Sequence, residues 1–202
     1  MNRGLAVAAG AAVAGLVILW QRQPILQAVA TDLDAQRAAP IPRKGSIADV
    51  VAVAGEANVR AMLRVIRFAE GTAGPEGYSL LFGGGRFDSF ADHPRIVVAR
   101  ISNGKPIKST AAGAYQFLES TWDMVRGALG LPDFSPRSQD LGAIELIRRR
   151  GALDAVRAGE AGRALELMRK EWASLPGAGY GQPEKRAADL LAEFKRQGGT
   201  LA

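Results

Sequence analysis

Between Gly74 and Lys108 the chain does not read as helix, and that interruption constrains the fold more than any other feature. The stretch is dense in glycine, with Gly83-Gly84-Gly85 in succession, and its apolar run Ile96-Val97-Val98 is β-branched. Loops with a small sheet or hairpin suit such a composition. Before it, Val59, Met62, Leu63, Ile66 and Ala69 form one apolar stripe at helical spacing, and Gly71 supplies a stop. After it, helical patterns run around Leu118–Leu129, Gln139–Arg149, Ala161–Trp172 and Pro183–Arg196. The last places Pro183 in its first turn, Ala187, Leu190, Leu191 and Phe194 on one face, and Gly198 beyond its end. A mostly helical body carrying a small β lobe is an α+β layout.

A different pattern opens the chain. Gly4–Trp20 is uncharged and lies between Arg3 and Arg22, with six alanines, three glycines and eight bulkier apolar residues. A bilayer span takes about 20 residues, with roughly 17 the lower limit, so this helix would insert with little to spare. Cleavage after Ala28-Val29-Ala30 would require an unusually long approach through Arg22 and Pro24. An uncleaved, weakly held signal-anchor at residues 1–22 fits better, followed by a partly helical connector over 23–57 and a domain over 58–202. One arginine on each flank does not fix the orientation.

Composition narrows the chemistry. With no cysteine and His93 the only histidine, thiolate chemistry and zinc sites built on several imidazoles are excluded, and neither metal nor cofactor is expected. Carboxylates or hydroxyls must carry any catalysis. The net charge of +6 favours a polyanionic partner. Nucleic acid is disfavoured, because Lys and Arg are scattered over every helix and aromatics are only 6% of the chain. His93 stands beside Asp92, but Pro94 follows and no nucleophile elbow exists, so a structural turn is the expectation. Arg148-Arg149-Arg150 reads as a solvated helix end, and Phe117, Trp122 and Trp172 read as core.

Glu70 is the residue out of place. It follows Ile66 by four positions and Leu63 by seven, so it falls on the apolar stripe, at the helix's C-terminal end. Partial desolvation and the helix dipole both favour its protonated form there, which is what a general acid requires.

The pieces Phe68-Ala69-Glu70-Gly71-Thr72, Gly77-Tyr78, Asp92-His93-Pro94-Arg95, Lys108-Ser109-Thr110, Gly113-Ala114-Tyr115-Gln116, Phe134-Ser135-Pro136 with Ser138-Gln139-Asp140, Arg150-Gly151-Ala152-Leu153 and Trp172 through Gln182 occur in this order. Together they resemble the bacteriophage lambda lysozyme family, from about Arg60 to Thr200. That resemblance implies a lysozyme-like fold with a saccharide cleft between body and lobe. It implies endolysin activity as a lytic transglycosylase on peptidoglycan, with Glu70 as the catalytic acid. Tyr78, Tyr115, Gln116, Tyr180 and Gln182 become substrate-binding candidates, with helix and loop packing as the competing reading. The Thr72–Tyr78 connection looks shorter than the family's, and the family gives no guide to the first twenty residues.

Two mechanisms differ in how many carboxylates they need. Hydrolysing glycosidases usually place two, either ~5–5.5 or ~6.5–9.5 Å apart, for which Asp88 and Asp92 are the candidate partners. A transglycosylase needs one, since the muramic acid C6 hydroxyl is the nucleophile, and Glu70 alone is the favoured reading. A membrane-tethered binder of peptidoglycan without activity is the rival. The enzymatic reading expects the domain in the periplasm, held at the inner membrane through residues 4–20.

Overall fold

A computed structural model describes residues 46–102 and 105–202. The expected signal-anchor at residues 4–20 lies outside them. Among the described residues no helix is long and apolar enough to cross a membrane.

The helical body is built from α1 (Ile47–Val53), α2 (Ala57–Glu70), α3 (Glu119–Leu129), α4 (Pro136–Arg149), α5 (Leu153–Ala158), α6 (Ala161–Met168) and α7 (Ala187–Arg196). α4 is its centre: from Ser138 to Ile147 every residue but Asp140 is buried. Ser135 caps it by accepting from the Ser138 N–H, and Pro136 opens its first turn. α2 packs against α4, α5 and α7 and buries seven residues, the predicted stripe together with Ala61 and Val65. Two short 3₁₀ turns, Pro75–Ser79 and Phe82–Gly84, lead into the lobe, whose antiparallel hairpin pairs β1 (Val98–Ser102) with β2 (Lys105–Ser109). An aromatic cluster joins lobe to body: Trp122 and Phe134 meet edge to face at 4.6 Å, and Phe87, His93 and Phe117 pack onto Phe134.

Several boundaries differ from the sequence reading, each for a physical reason. The hairpin takes only Val98 from the β-branched run, leaving Ile96 and Val97 exposed. Part of the connector belongs to the domain. A capping box of Ser46 and Asp49 starts α1, which packs on α4 and buries Val50 completely. α5 lies where no helix was predicted, six residues being too few for a periodic signal. The last helix starts at Ala187 rather than Pro183, because the Lys185 N–H donates to Ser174 O and holds the preceding residues as loop.

The arginine triplet is not a solvated end. Arg148 and Arg149 both pair with Glu145, which is fully buried, and Arg150 pairs with Glu171. A buried carboxylate needs such partners to remain charged. His93 is buried: its Nδ1 accepts from the Arg95 N–H, so Nε2 carries the proton and donates to Phe117 O at 2.9 Å. Arg95 ties the same turn to Asp92, Glu119 and Asp123. Phe117, Trp122 and Trp172 are core.

Candidate active site

Glu70 is the last residue of α2, and its carboxylate opens into a cleft of about 460 Å³ between body and lobe. β2 contributes Ile107 and Lys108 to one wall, while Tyr180, Gln182, Glu184 and Lys185 come from the loop before α7. Gln116 and Leu118 lie beneath. Across 104 positions of sequence, Ser174 Oγ donates to Glu70 Oε1 at 2.6 Å. A hydroxyl donor that close fixes the rotamer of the carboxylate in the cleft.

The ground under Glu70 is bolted to the core. Thr72, two residues on and buried, donates from Oγ1 to Ala114 O at 2.5 Å. Gln139 of α4 accepts from the Ala114 N–H at 2.8 Å, and its amide nitrogen donates to the carbonyls of Tyr78 and Phe134. Trp172 Nε1 donates to Tyr115 O at 3.0 Å. The segment Gly113–Gln116 is thus held from three sides. Gly113 has φ +78, and a Cβ there would stand 2.2 Å from Gln139 Oε1, so only glycine fits. Gln116 has φ +48 and lines the cleft. A non-glycine residue in the left-handed region stores strain of about 1–3 kcal/mol, and here its surroundings enforce it at the candidate site.

The substrate-binding candidates divide. Gln116, Tyr180 and Gln182 line the cleft with Glu70. Tyr115 and Tyr78 do not, which corrects the expectation for both. Tyr115 is 1% exposed, and its hydroxyl donates to Asp140 Oδ1 at 2.6 Å; Tyr78 donates to the same oxygen at 2.8 Å. Burial and the neighbouring Asp140 charge push the Tyr78 phenol up to about 12, and burial raises the Asp140 carboxyl as well. Arg67 lies over the Tyr78 ring and donates to the carbonyls of Thr72 and Gly74, which fastens the turn after Glu70. These side chains support the site from behind.

Asp88 and Asp92, the candidate second carboxylates, also lie off the cleft. Asp92 is held by Arg95, Arg126 and Trp122 Nε1. The second carboxylate that does line it is Glu184, and it was not foreseen. Its two oxygens accept the N–H groups of Gly177 and Gly179, each at 2.8 Å, and these bonds hold it below the usual carboxylate range. Ser174, Gln139 and Thr72 were also missed as positioning groups. Only the cluster Trp172-Ala173-Ser174 beside the glycine-rich run hinted at the first of them.

A model of the endolysin family matches residues 60–201. The chain is 45% identical over 148 residues to the endolysin of Escherichia phage lambda, covering 70% of this chain and 92% of that one. It is 44% identical over 157 residues to the endolysin of Escherichia phage P2, covering 72% and 95%.

The chain belongs to the endolysin family.

Bacteriophage lambda lysozyme complexed with a chitohexasaccharide superposes with a TM-score of 0.68 at 41% identity, over 73% of this chain and 97% of that one. Lambda lysozyme in a second structure gives 0.65. The lysozyme-like fold is thereby established, and membership in the endolysin family places the chain among peptidoglycan glycosidases.

Proposed function

We propose that this endolysin cleaves the MurNAc–GlcNAc bonds of bacterial peptidoglycan as a lytic transglycosylase, with Glu70 as its one catalytic carboxylate, and so lyses the host cell. Protonated Glu70 gives its proton to the glycosidic oxygen while the bond from that oxygen to the muramic acid anomeric carbon breaks. The C6 hydroxyl of the same sugar then bonds to that carbon and returns a proton to Glu70, leaving a 1,6-anhydro end. Acid and base are the same residue, and no water is consumed.

The observation carrying this reading is the state of the other cleft carboxylate. Both Glu184 oxygens are turned to backbone N–H groups, and bonds to the charged form oppose its taking up a proton, so it is poorly suited to activate water. Asp88 and Asp92 do not line the cleft. A solved relative complexed with a chitohexasaccharide supports a glycan as the occupant. Mass spectrometry of the muropeptides released from purified sacculi tests the route. Anhydro ends are expected; ends heavier by one water would make the enzyme a hydrolase. Glu70→Gln should lose about 10²–10⁴ in rate, and near-normal clearing by that variant would remove Glu70 from the mechanism.

We propose further that residues 4–20 hold the enzyme at the host inner membrane with the catalytic domain in the periplasm. The weakly apolar character of that segment supports a releasable anchor. Fractionation before and after membrane depolarisation tests release, and protein that stays wholly in the membrane fraction makes the anchor permanent.

A further inference from the structure

Pro176 to Lys185 forms a rim of the cleft that little core packing holds in place. Its glycines Gly177, Gly179 and Gly181 all lie in the left-handed region, with φ of 75°, 76° and 71°, and of its residues only Ala178 is fully buried. A sequence that alternates glycine in this way has many accessible conformations and pays heavily in entropy for any single one. Something must select the conformation in which Tyr180 and Gln182 line the cleft.

We infer that Glu184 is a positioning residue for the glycan: its carboxylate clasps the glycine-rich rim in the shape that presents Tyr180 and Gln182 to substrate. The inference rests on the proposed glycan-cleaving function and adds a residue to it. Oε2 accepts from the Gly177 N–H and Oε1 from the Gly179 N–H, both at 2.8 Å, so one side chain closes the loop on itself. Backbone N–H groups converging from one turn form a concave anion site, and here those of Gly177 and Gly179, either side of Ala178, converge on an anion that belongs to the chain itself. The neighbouring ties run along the same rim. Lys170 Nζ donates to Ala178 O at 2.6 Å, and the Tyr180 hydroxyl donates to Lys170 O at 3.0 Å. Lys185, next to the clasp, donates its N–H to Ser174 O, and the Ser174 hydroxyl in turn reaches Glu70. The clasp therefore sits two hydrogen bonds from the catalytic acid, while being spent on backbone rather than on chemistry.

Substitution separates positioning from catalysis. Glu184→Ala removes both acceptors. Glu184→Gln keeps one oxygen and presents an N–H group where the second amide needs an acceptor. Binding is read by co-sedimentation with sacculi in a Glu70→Gln background, where nothing is cleaved, and kcat and KM are read on otherwise native enzyme. Expected are binding weakened about 10-fold or more in Glu184→Ala, a matching rise in KM, and a smaller effect in Glu184→Gln. The saturated rate should stay within about 3-fold of native, because the reacting groups are untouched. Native binding and KM in Glu184→Ala would overturn the clasp. So would loss of kcat at unchanged KM, which would make Glu184 a second catalytic carboxylate. A native enzyme that binds sacculi yet releases no muropeptides would instead defeat the cleavage reading, and the sedimentation arm would still decide the clasp.

Discussion

The two sides of the cleft are held by different means. Beneath Glu70, the turn to Thr72 and the segment Gly113–Gln116 are fixed by buried side chains reaching in from distant parts of the chain: Gln139, Trp172 and Thr72 itself. The opposite rim is fixed by bonds between near neighbours in sequence, Glu184 to Gly177 and Gly179, and Tyr180 to Lys170. Long-range burial suits a proton donor, which must not move relative to the bond it attacks. Local hydrogen bonds near solvent are weaker and suit a rim that must admit a polymer.

If that contrast is right, damage to the buried side should cost stability and damage to the rim should cost binding. The largest loss is expected from Trp122→Ala in the aromatic joint, at about 3–5 kcal/mol for a fully buried aromatic, read as a fall in chemical-denaturation stability; a loss under about 1 kcal/mol would show that the joint is not a core. Thr72→Val should follow at about 1–3 kcal/mol, since it leaves the buried Ala114 carbonyl without its hydroxyl donor. It should also lower kcat with Glu70 intact, so an undisturbed kcat would separate the turn from the site.

The next effect is confined to a pH window. Burial first, and the Arg95 charge after it, hold the His93 imidazole below its usual value despite the bond to Phe117 O. The folded state therefore prefers the neutral ring, so the stability it contributes is complete above about pH 6.5, where the unfolded ring is also neutral. It is lost as pH falls through that value toward the lower folded one. His93→Asn should flatten this part of the stability–pH curve, and an unchanged curve would assign the acid sensitivity elsewhere. The smallest effect is expected from Tyr180→Phe on the rim, about 0.5 kcal/mol or less for one exposed hydroxyl bond, with a modest rise in KM. A stability loss as large as that of Thr72→Val would erase the distinction between the two sides.

How much of this was legible in the chain follows the same division. Glu70 could be found because a carboxylate on an apolar stripe breaks a periodic pattern, and the glycine-dense stretch announced the lobe. Gln116, Tyr180 and Gln182 came from the resemblance and do line the cleft. Tyr115 and Tyr78 came from the same motifs, yet they face Asp140, because a motif does not say which side of its segment meets the cleft. Glu184 carried no signal of its own, and Ser174 only its place beside the glycine-rich run. A serine and a glutamate in a glycine-rich loop read as solvent-facing until a partner is known, and one partner lies 104 residues away.

Periodicity and punctuation are local quantities, and they determined five of the seven described helices, the position of the lobe and the one anomalous carboxylate, since each is written within a few turns of chain. Tertiary structure alone decided which hydroxyl touches Glu70, which carboxylates the cleft excludes, and that the arginine triplet serves a buried glutamate. Those pairings depend on where the chain returns in space, and hydrogen bonds a few ångströms long leave no imprint on sequence spacing.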